Sequence, residues 1–478
     1  MRRRSLRSLV SISLAACAAG EGTRDTVETE TETEASVGSG PGTEAGDATA
    51  ASTFDASDDG PVSTTVPSAD DDDGGGPAVC GDGELTINEL CDDGNTDDSD
   101  GCNADCTPSG AIVWQQSIGS GVLAVDEGFD VATDDDGNFT VVGYAATVAG
   151  PVDGWIRRYS PMGGAYWTLA HAGAGGGNDH MFGVALAEDG AAYIAGYESA
   201  ADLTNNGVLR KVDTFGADLW VSSFDAPGAT GTVVQSVTVD GEGSVVVVGY
   251  NDTVADGLDV MLRKYTAEGM PVWTRGYAGA AGANDIAYGV ATTDAGSLYV
   301  VGYESVAAEG TNMWLGKYDT DGNLLWSRSY NGVASLDDYL VGVVTDDDDN
   351  AYVCGYESSV NYPWHAFVRQ YDEDGNIVWT DEFLGDTEEG AHCFGIARAP
   401  GGDLVITGGV MNAMIRDIMV RRYTNTGTVR WSEHIPGGAM GPDYGRSVTA
   451  DGAGAIYIAG SIDTGADVRD IWVARLSR

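Results

Sequence analysis

Short apolar runs separated by Gly and Asp turns recur along the chain from residue 110 to residue 478. Four kinds of run alternate there, exemplified by LLWSRSY around a Trp, the small apolar YGVAT, LYVVGY with its Gly-Tyr end, and the basic WLGKY. Each run is 5–8 residues long and rich in Val, Ile, Tyr and Trp, which is typical of β-strands. No stretch combines the 3.6-residue period with the length of a helix. This part of the chain is therefore predicted to be all-β.

The Trp-centred runs repeat at a nearly constant spacing. They are centred on Trp114, Trp167, Trp220, Trp273, Trp326, Trp379 and Trp431, so that the spacing is 53 residues five times and then 52. A period of this length indicates a propeller or a solenoid. Four short antiparallel strands per repeat, seven times over, predict a seven-bladed β-propeller of four-stranded blades over residues 110–478.

The two ends of the array are out of phase in a way that predicts ring closure. The array begins with the Trp run IVWQQSI and stops after IWVARLSR, just before an eighth Trp would fall. The last blade therefore lacks either its outermost or its innermost strand, and IVWQQSI can supply it. Pairing of the N- and C-terminal strands would remove an open sheet edge and lock the ring. A linear solenoid would need no such offset.

The turn before each Trp raises a question of chemistry. In YDTDGNLLW, residues 318–326, the acidic and amide residues alternate as in calcium loops, and a turn ending on Trp is also found in quinone-cofactor propellers. The sibling turns are YSPMGGAYW, VDTFGADLW, YTAEGMPVW, YDEDGNIVW and YTNTGTVRW. Only the fifth-position Gly and the ninth-position Trp persist. The pattern therefore indicates a hairpin turn with a Gly at positive φ, which repeats once per blade.

The repeats resemble those of bacterial surface β-propellers, with DAGSLYVVGY at 294–303 and LGKYDTDGNLLW at 315–326. The resemblance covers the whole array. It implies the propeller fold and says little about function.

The N-terminus has the order of an export signal. A basic MRRRSLR precedes the apolar SLVSISLAA, and LAAC ends at Cys17. This arrangement resembles the lipobox of bacterial lipoproteins. The resemblance implies a signal peptide at 1–16, a lipid-modified Cys17 and, because Ala18 follows rather than Asp, an outer-membrane anchor. The alternative is an ordinary signal peptide with an incidental Cys. We expect the protein to face the cell surface, the alternative being that it faces the periplasm.

Residues 17–79 contain VETETETEAS and ADDDDGGGP and few large apolar residues. Such a segment cannot bury enough surface to fold, and its like charges repel one another. We expect a lipid-anchored, disordered acidic tether, with an acidic decoy as the weaker alternative.

Residues 80–108 contain four closely spaced cysteines, Cys80, Cys91, Cys102 and Cys106. In an exported chain they predict two disulfides, with three pairings open. The segment resembles the Myxococcus cysteine-rich repeat through CGDG, ELCDDGN, DGC and the final Cys. Its hard oxygen donors make calcium the candidate metal, and the lack of His disfavours zinc. The candidate ligands are Asp82, Asp92, Asp93, Asn95, Asp97 and Asp100.

A carboxylate precedes the small apolar strand in most repeats. Aligned on that strand, one position is held by Asp126, Asp179, Asp285, Asp338 and Asp443, while Thr232 and Ala391 break the pattern. A ring of carboxylates at one mouth of the channel would bind a cation or a basic ligand. The alternative, which repetition favours, is that each Asp accepts backbone hydrogen bonds within its own loop.

Other chemistry has weak sequence support. The five His residues form no HxH or HExxH spacing, there is no GxSxG elbow, and His180 and His392 fall in repeats that are not neighbours. We therefore expect no enzyme, the alternatives being a polysaccharide lyase or a quinoprotein. Cys354 and Cys393 lie in adjoining repeats and are either buried thiols or a cross-blade disulfide.

A formal net charge of −50 argues against binding nucleic acid or anionic lipid through general electrostatics. Variable loops on a rigid ring commonly carry specificity, and the most distinctive one here holds Tyr362, Pro363, Trp364 and His365, whose aromatic rings could stack on sugars. The predicted function is a non-enzymatic cell-envelope lipoprotein whose propeller binds a protein or a glycan. The alternative is a scaffold in outer-membrane assembly.

Overall fold

The computed structural model describes residues 79–478 except 84, 86–88, 122–124, 149, 203, 227, 254–256, 308, 333, 335, 360–363, 386–389, 413–414, 438–440 and 466–467. The predicted signal peptide, Cys17 and the tether up to residue 78 lie outside the described residues. Residues 76–478 form one compact unit. No helix in the described part of the chain is long and apolar enough to cross a membrane.

Seven four-stranded antiparallel sheets confirm the predicted seven-bladed propeller. The innermost strands are β2 (Glu127–Thr133), β6 (His180–Leu186), β10 (Ala229–Val239), β14 (Ile286–Thr292), β18 (Asp338–Thr345), β22 (Ala391–Arg398) and β26 (Tyr444–Ala450). The second strands are β3 (Phe139–Ala146), β7 (Ala192–Ser199), β11 (Val245–Thr253), β15 (Leu298–Val306), β19 (Ala351–Ser358), β23 (Leu404–Asn412) and β27 (Ile456–Gly465).

The remaining strands complete the blades outward. The third strands are β4 (Val152–Tyr159), β8 (Asn205–Val212), β12 (Gly257–Tyr265), β16 (Gly310–Tyr318), β20 (Trp364–Tyr371), β24 (Ile415–Tyr423) and β28 (Val468–Leu476). The outermost strands are β5 (Ala165–His171), β9 (Asp218–Phe224), β13 (Pro271–Tyr277), β17 (Leu324–Tyr330), β21 (Ile377–Phe383), β25 (Val429–Ile435) and β1 (Ile112–Ile118). A 3₁₀ turn, Pro400–Gly402, joins β22 to β23.

The ring closes through the N-terminal strand, as predicted. Strand β1 pairs antiparallel with β28, with Gln115 opposite Ala474 and Ser117 opposite Trp472. The strand that the last blade lacks is therefore its outermost one. We number the blades 1 to 7 from β2, so that blade 7 contains β26, β27, β28 and β1.

The hydrophobic core lies between successive blades. One of its clusters joins Val301 and Leu315 of blade 4 to Val343, Val353 and Phe367 of blade 5. Full burial of each such side chain contributes roughly 1.5–3 kcal/mol. In most outermost strands exposed and half-buried residues alternate, as in β5 and β13, because one face of the strand meets water.

The structure forms three disulfides. Cys80 pairs with Cys106 and Cys91 with Cys102, which selects one of the three pairings that the sequence left open. Cys354 in β19 pairs with Cys393 in β22, so the cross-blade alternative holds and blades 5 and 6 are covalently joined.

Among the described residues, the repeated Trp hydrogen-bonds six of the seven blades to the next one, the exception being Trp431 of blade 6. The indole Nε1 of Trp326 donates to the carbonyl of Glu373, which lies in the turn between the third and fourth strands of the following blade, at 3.1 Å. The same bond joins Trp114 to Pro161, Trp167 to Thr214, Trp220 to Ala267, Trp273 to Thr320 and Trp379 to Asn425. We call the surface formed by these turns and by the turns between first and second strands the turn face, and the opposite surface the loop face.

Candidate functional site

The predicted ring of aspartates lies on the loop face and engages backbone amides. One carboxylate oxygen of Asp179 accepts a hydrogen bond from the N–H of Gly173 at 2.7 Å, and the other accepts one from Ser199 at 2.6 Å. The same two contacts, six residues before and twenty residues after, form at Asp126, Asp285 and Asp338, and Asp443 forms the second of them with the Asp463 N–H. Each of these side chains is almost completely buried.

The two repeats that lack the aspartate use other acceptors. In blade 3 the Oγ1 atom of Thr232 accepts the Ala226 N–H at 3.2 Å. In blade 6 the carbonyl of Gly390 accepts the Met411 N–H at 2.9 Å. The same loop is thus stabilised by three different acceptors, which is what a structural role requires and a metal-binding role does not.

Burial governs the charge of these carboxyl groups. Desolvation raises the pKa of Asp338 to about 6 and that of Asp443 to about 6, and it raises the pKa of Asp179 and Asp285 above the ordinary value. Both oxygens of Asp179, Asp285 and Asp338 accept backbone N–H groups, and one oxygen of Asp443 does so, which supports the structural interpretation of the ring. Cation binding there stays a prediction.

The acidic residues of the cysteine-rich segment also serve its own backbone. The Asp92 carboxylate accepts hydrogen bonds from the N–H groups of Gly81, Asp82, Gly83 and Gly94. These bonds, the Gly94 bond most of all, lower the pKa of Asp92. Asp93 accepts from the Cys102 N–H at 2.9 Å, and the Nδ2 of Asn95 donates to Asp100 at 3.4 Å.

Within the described residues, no three His, Cys, Asp or Glu side chains are grouped so as to hold a metal ion. The structure therefore offers the calcium prediction no assembled site in this segment.

The axis of the ring is lined by the bulged residue of each innermost strand. These residues are Phe129, Phe182, Gln235, Tyr288, Val341, Phe394 and Arg446. The Phe129 and Phe182 ring centroids are 5.0 Å apart, and the Arg446 guanidinium lies 5.1 Å from the Phe394 ring. Equivalent side chains of successive blades therefore meet, and five of the seven are buried. The axis is largely filled by packed side chains.

A buried ion pair stands in this axial layer. Arg446 donates to the Glu127 carboxylate at 2.5 Å, and both side chains are buried. Burial acts to raise the pKa of Glu127, but the Arg446 and Arg469 charges hold it below its usual range. His180 and His392 lie in the same layer, and burial lowers the pKa of His180 to about 3 and that of His392 well below its usual value. The two imidazoles are therefore neutral packing groups at pH 7.

The aromatic loop proposed for sugar stacking is only partly surface-exposed. Trp364 begins strand β20 and is 5% exposed, because its ring packs edge-on against Tyr356 at 5.1 Å and against His392 at 5.4 Å. The expectation that Trp364 offers its ring to a ligand is therefore wrong. Residues 362 and 363 lie outside the described residues.

A cleft with a volume of about 810 Å³ lies on the turn face between blades 1 and 2. It is lined by Asp134, Asp135, Asp136, Asn138, Arg158, Tyr166, Trp167, Glu188, Asp189, Gly190, Thr214 and Phe215. Phe215 is 86% exposed and Tyr166 is 58% exposed. Aromatic side chains thus face water on one side of the cleft, beside the acidic turns of the two blades.

The polar groups of the cleft fall into two sets. Arg158 is committed to the fold, because it donates to Asp134 at 2.8 Å and to the carbonyl of Gly190 at 3.1 Å. The carboxylates of Asp135, Asp136, Glu188 and Asp189 belong to exposed residues in the turns that follow β2 and β6. Since the Arg158–Asp134 pair is neutral, the cleft carries a net negative charge.

The sequence did not predict this cleft, because its residues come from two repeats. They lie in turns between first and second strands and in a turn between third and fourth strands. One signal was present. The fourth position of the turn before each Trp is polar in the last four turns, where it is Glu268, Asp321, Asp374 and Thr426. In the first two turns it is Met162 and Phe215, both strongly exposed at 77% and 86%. Of these two residues, Phe215 lines the cleft and Met162 does not.

Comparisons with known proteins bear on the fold only. No protein-family model and no curated protein matches this chain. Among solved structures, Sqt1 from Chaetomium thermophilum is similar at 13% identity over 73% of this chain and 82% of its own, with a TM-score of 0.41. A protein of unknown function from Dyadobacter fermentans has 10% identity over 78% and 100%, with a TM-score of 0.46. The β-propeller domain of the Trilobed protease from Pyrococcus furiosus has 10% identity over 73% and 95%, with a TM-score of 0.45.

Proposed function

We propose that this chain is a non-enzymatic, exported binding protein whose blade 1–blade 2 cleft receives a basic segment of a protein partner. The observation that carries the proposal is the break in symmetry at that cleft. The turn position that is polar in the later repeats is instead the exposed Phe215 there, and this ring stands in the cleft among exposed carboxylates.

The chemistry of the cleft favours a cationic occupant over a neutral sugar. A Lys or Arg side chain can lie over the face of Tyr166 or Phe215 while its charge meets the carboxylates of Asp135 and Asp136. A glycan would use the aromatic rings but would gain little from four carboxylates. The net charge of −50 adds long-range attraction for a basic partner and repels polyanions.

A binding titration tests the proposal. A fluorescein-labelled hexa-arginine peptide should bind the wild-type protein and should bind the Asp135→Asn/Asp136→Asn variant roughly tenfold more weakly, since each exposed charge pair is worth up to about 1 kcal/mol. Fluorescence anisotropy at low and high salt measures both affinities.

The matched control is Asp347→Asn/Asp348→Asn, which removes the same charge from the equivalent turn of blade 5. This control should bind the peptide within about twofold of wild type. Equal weakening by both variants would mean that the peptide senses only the overall charge, and the cleft proposal would fail. Salt-independent binding of a neutral oligosaccharide at the cleft would instead support a glycan ligand.

The absence of catalysis is part of the proposal. It is supported by the packed axial layer, which leaves the axis of the ring largely filled, and by the commitment of the loop-face aspartates to backbone amides. Assay of the purified protein against extracellular polysaccharides would overturn this part if product accumulated.

Export and anchoring are supported by the three disulfides, which persist in oxidising compartments, and by the LAAC signal. We propose that Cys17 is lipid-modified and holds the protein on the outer membrane, facing the cell surface. A Cys17→Ser variant should move from the membrane fraction to the soluble fraction, and protease treatment of intact cells should cleave the wild-type protein. A Cys17→Ser variant that stayed in the membrane fraction would contradict the lipid anchor.

A further inference from the structure

We propose that the cysteine-rich segment, residues 80–108, acts as a clasp that supplies the missing turn of blade 7 and so locks the propeller ring. In blades 1 to 6 a continuous hairpin turn joins the third strand to the fourth. In blade 7 the third strand is β28 and the fourth is β1, at opposite ends of the array, so no continuous turn can join them.

The sequence that enters β1 has the form of the other turns. Residues 106–114 read CTPSGAIVW, with Gly at the fifth place and Trp at the ninth, as in YDTDGNLLW. Gly110 has φ +77°, close to the +76° of Gly322 in that turn. The first three residues of this nonapeptide, 106–108, are the last three of the cysteine-rich segment, and Cys106 is half of its Cys80–Cys106 disulfide.

The hydrogen bonds of a complete turn are rebuilt across the chain ends. In the blade 4 turn, the N–H of Asp319 donates to the carbonyl of Asn323 at 3.0 Å, and the Asn323 N–H donates back to the Asp319 carboxylate at 2.8 Å. At the blade 7 junction the N–H of Ser477 donates to the carbonyl of Ala111 at 2.8 Å, and the Ala111 N–H donates to the Ser477 hydroxyl at 3.0 Å. Ser477 thus takes the place of the turn aspartate.

The packing against the preceding blade is also reproduced. In the blade 4 turn, Gly322 lies against the ring of Trp273, so that a Cβ placed there would come within 3.1 Å of the indole. Gly110 lies in the same way against Trp431 of blade 6, with a Cβ distance of 2.9 Å. Gly110, which lies just beyond the cysteine-rich segment, therefore packs on the blade 6 tryptophan as the other turn glycines pack on theirs, although the Nε1 of Trp431 has no acceptor among the described residues.

The clasp is held by hydrogen bonds within the segment and by contacts with the C-terminal residues Ser477 and Arg478. The buried Asn103 donates through Nδ2 to the Thr107 carbonyl at 3.0 Å, and the Ser109 N–H donates to the Gly101 carbonyl at 3.1 Å. The Ser477 hydroxyl donates to the Pro108 carbonyl at 2.6 Å. Arg478 forms an ion pair with Asp98 at 3.2 Å, a second contact between the segment and the end of β28.

The test compares two glycines with nearly the same backbone in the full mature chain. Gly110→Ala places a Cβ against Trp431, whereas Gly121→Ala, at φ +76°, places one where no atom lies within 4 Å. Both changes carry the strain of Ala at positive φ, so their difference isolates the clasp contact. We expect Gly110→Ala to speed amide hydrogen exchange of β1 on the order of tenfold relative to Gly121→Ala, with β17 unchanged.

A second variant keeps the argument independent of Gly110. Cys80→Ser/Cys106→Ser leaves the turn residues intact but releases their support, and it should speed exchange in β1 and in β28 while sparing β17. Unchanged β1 exchange in either variant would overturn the clasp. This result is separate from the cleft proposal, because hexa-arginine binding between blades 1 and 2 should survive both variants.

Discussion

At the scale of single residues, the buried axial layer sets the pH response of the fold. The ring of His180 stacks on Tyr144 at 4.2 Å and packs on Phe182 at 5.4 Å, and its Nδ1 has no hydrogen-bond partner among the described residues. Burial lowers its pKa to about 3, with the Glu127 charge acting weakly in the opposite direction. The folded protein therefore keeps this imidazole neutral where an unfolded chain would protonate it.

The neutral state of His180 makes the stability of the fold depend on pH. Between pH 6.5 and pH 3, His180 is protonated in the unfolded chain but not in the folded chain. The free energy of unfolding therefore falls as the pH falls through 6.5. Relative to His180→Phe, wild type should lose about 2 kcal/mol of stability between pH 7.5 and pH 5, as measured by denaturant unfolding.

The control for that experiment is Phe182→Leu, which disturbs the same aromatic cluster without removing a titrating group. Its difference from wild type should stay constant over this pH range. A pH-independent difference between wild type and His180→Phe would show that the imidazole is not kept neutral by burial.

At the scale of elements, each outer strand is fixed by its Trp, and blade 6 provides the comparison. Trp326 donates to the next blade at 3.1 Å, whereas the Nε1 of Trp431 has no acceptor among the described residues. Trp326→Phe removes this hydrogen bond, whereas Trp431→Phe removes none. The free energy of unfolding should therefore fall by about 1 kcal/mol more in Trp326→Phe than in Trp431→Phe.

Thermal and denaturant unfolding of the two variants measures this difference. Because both changes remove the same part of an indole ring, the packing losses largely offset each other. If Trp431→Phe proved as costly as Trp326→Phe, the interblade hydrogen bond would not be what makes the Trp recur.

At the scale of the whole molecule, the fold could be predicted because its cause is local and periodic. One Trp per 53 residues and one Gly four residues before it define strands and turns without knowledge of the other blades. Whether the N-terminal strand is the outermost or the innermost strand of the last blade could not be predicted this way, because it depends on which strands are neighbours in space. The disulfide pairings likewise needed geometry, since spacing alone left three possibilities.

The cleft was beyond sequence reasoning for the same physical reason. Trp167 on β5 and Phe215 in the blade 2 turn are far apart in the chain, and only the interblade bond from the indole to Thr214 brings their neighbourhoods together. Phe215 was visible as a departure from the repeat, but its link to the cleft requires knowing that its turn lies beside the acidic turns of blades 1 and 2.

Hydrogen exchange of the wild-type protein, with and without saturating hexa-arginine peptide, tests the central claim most directly, because it locates the ligand on the ring. The account predicts slower exchange in the blade 1 and blade 2 turns, at residues 134–137, 188–190 and 213–216, and no change in the corresponding turns of blades 4 and 5. Protection of the loop face, or equal protection of every acidic turn, would contradict it.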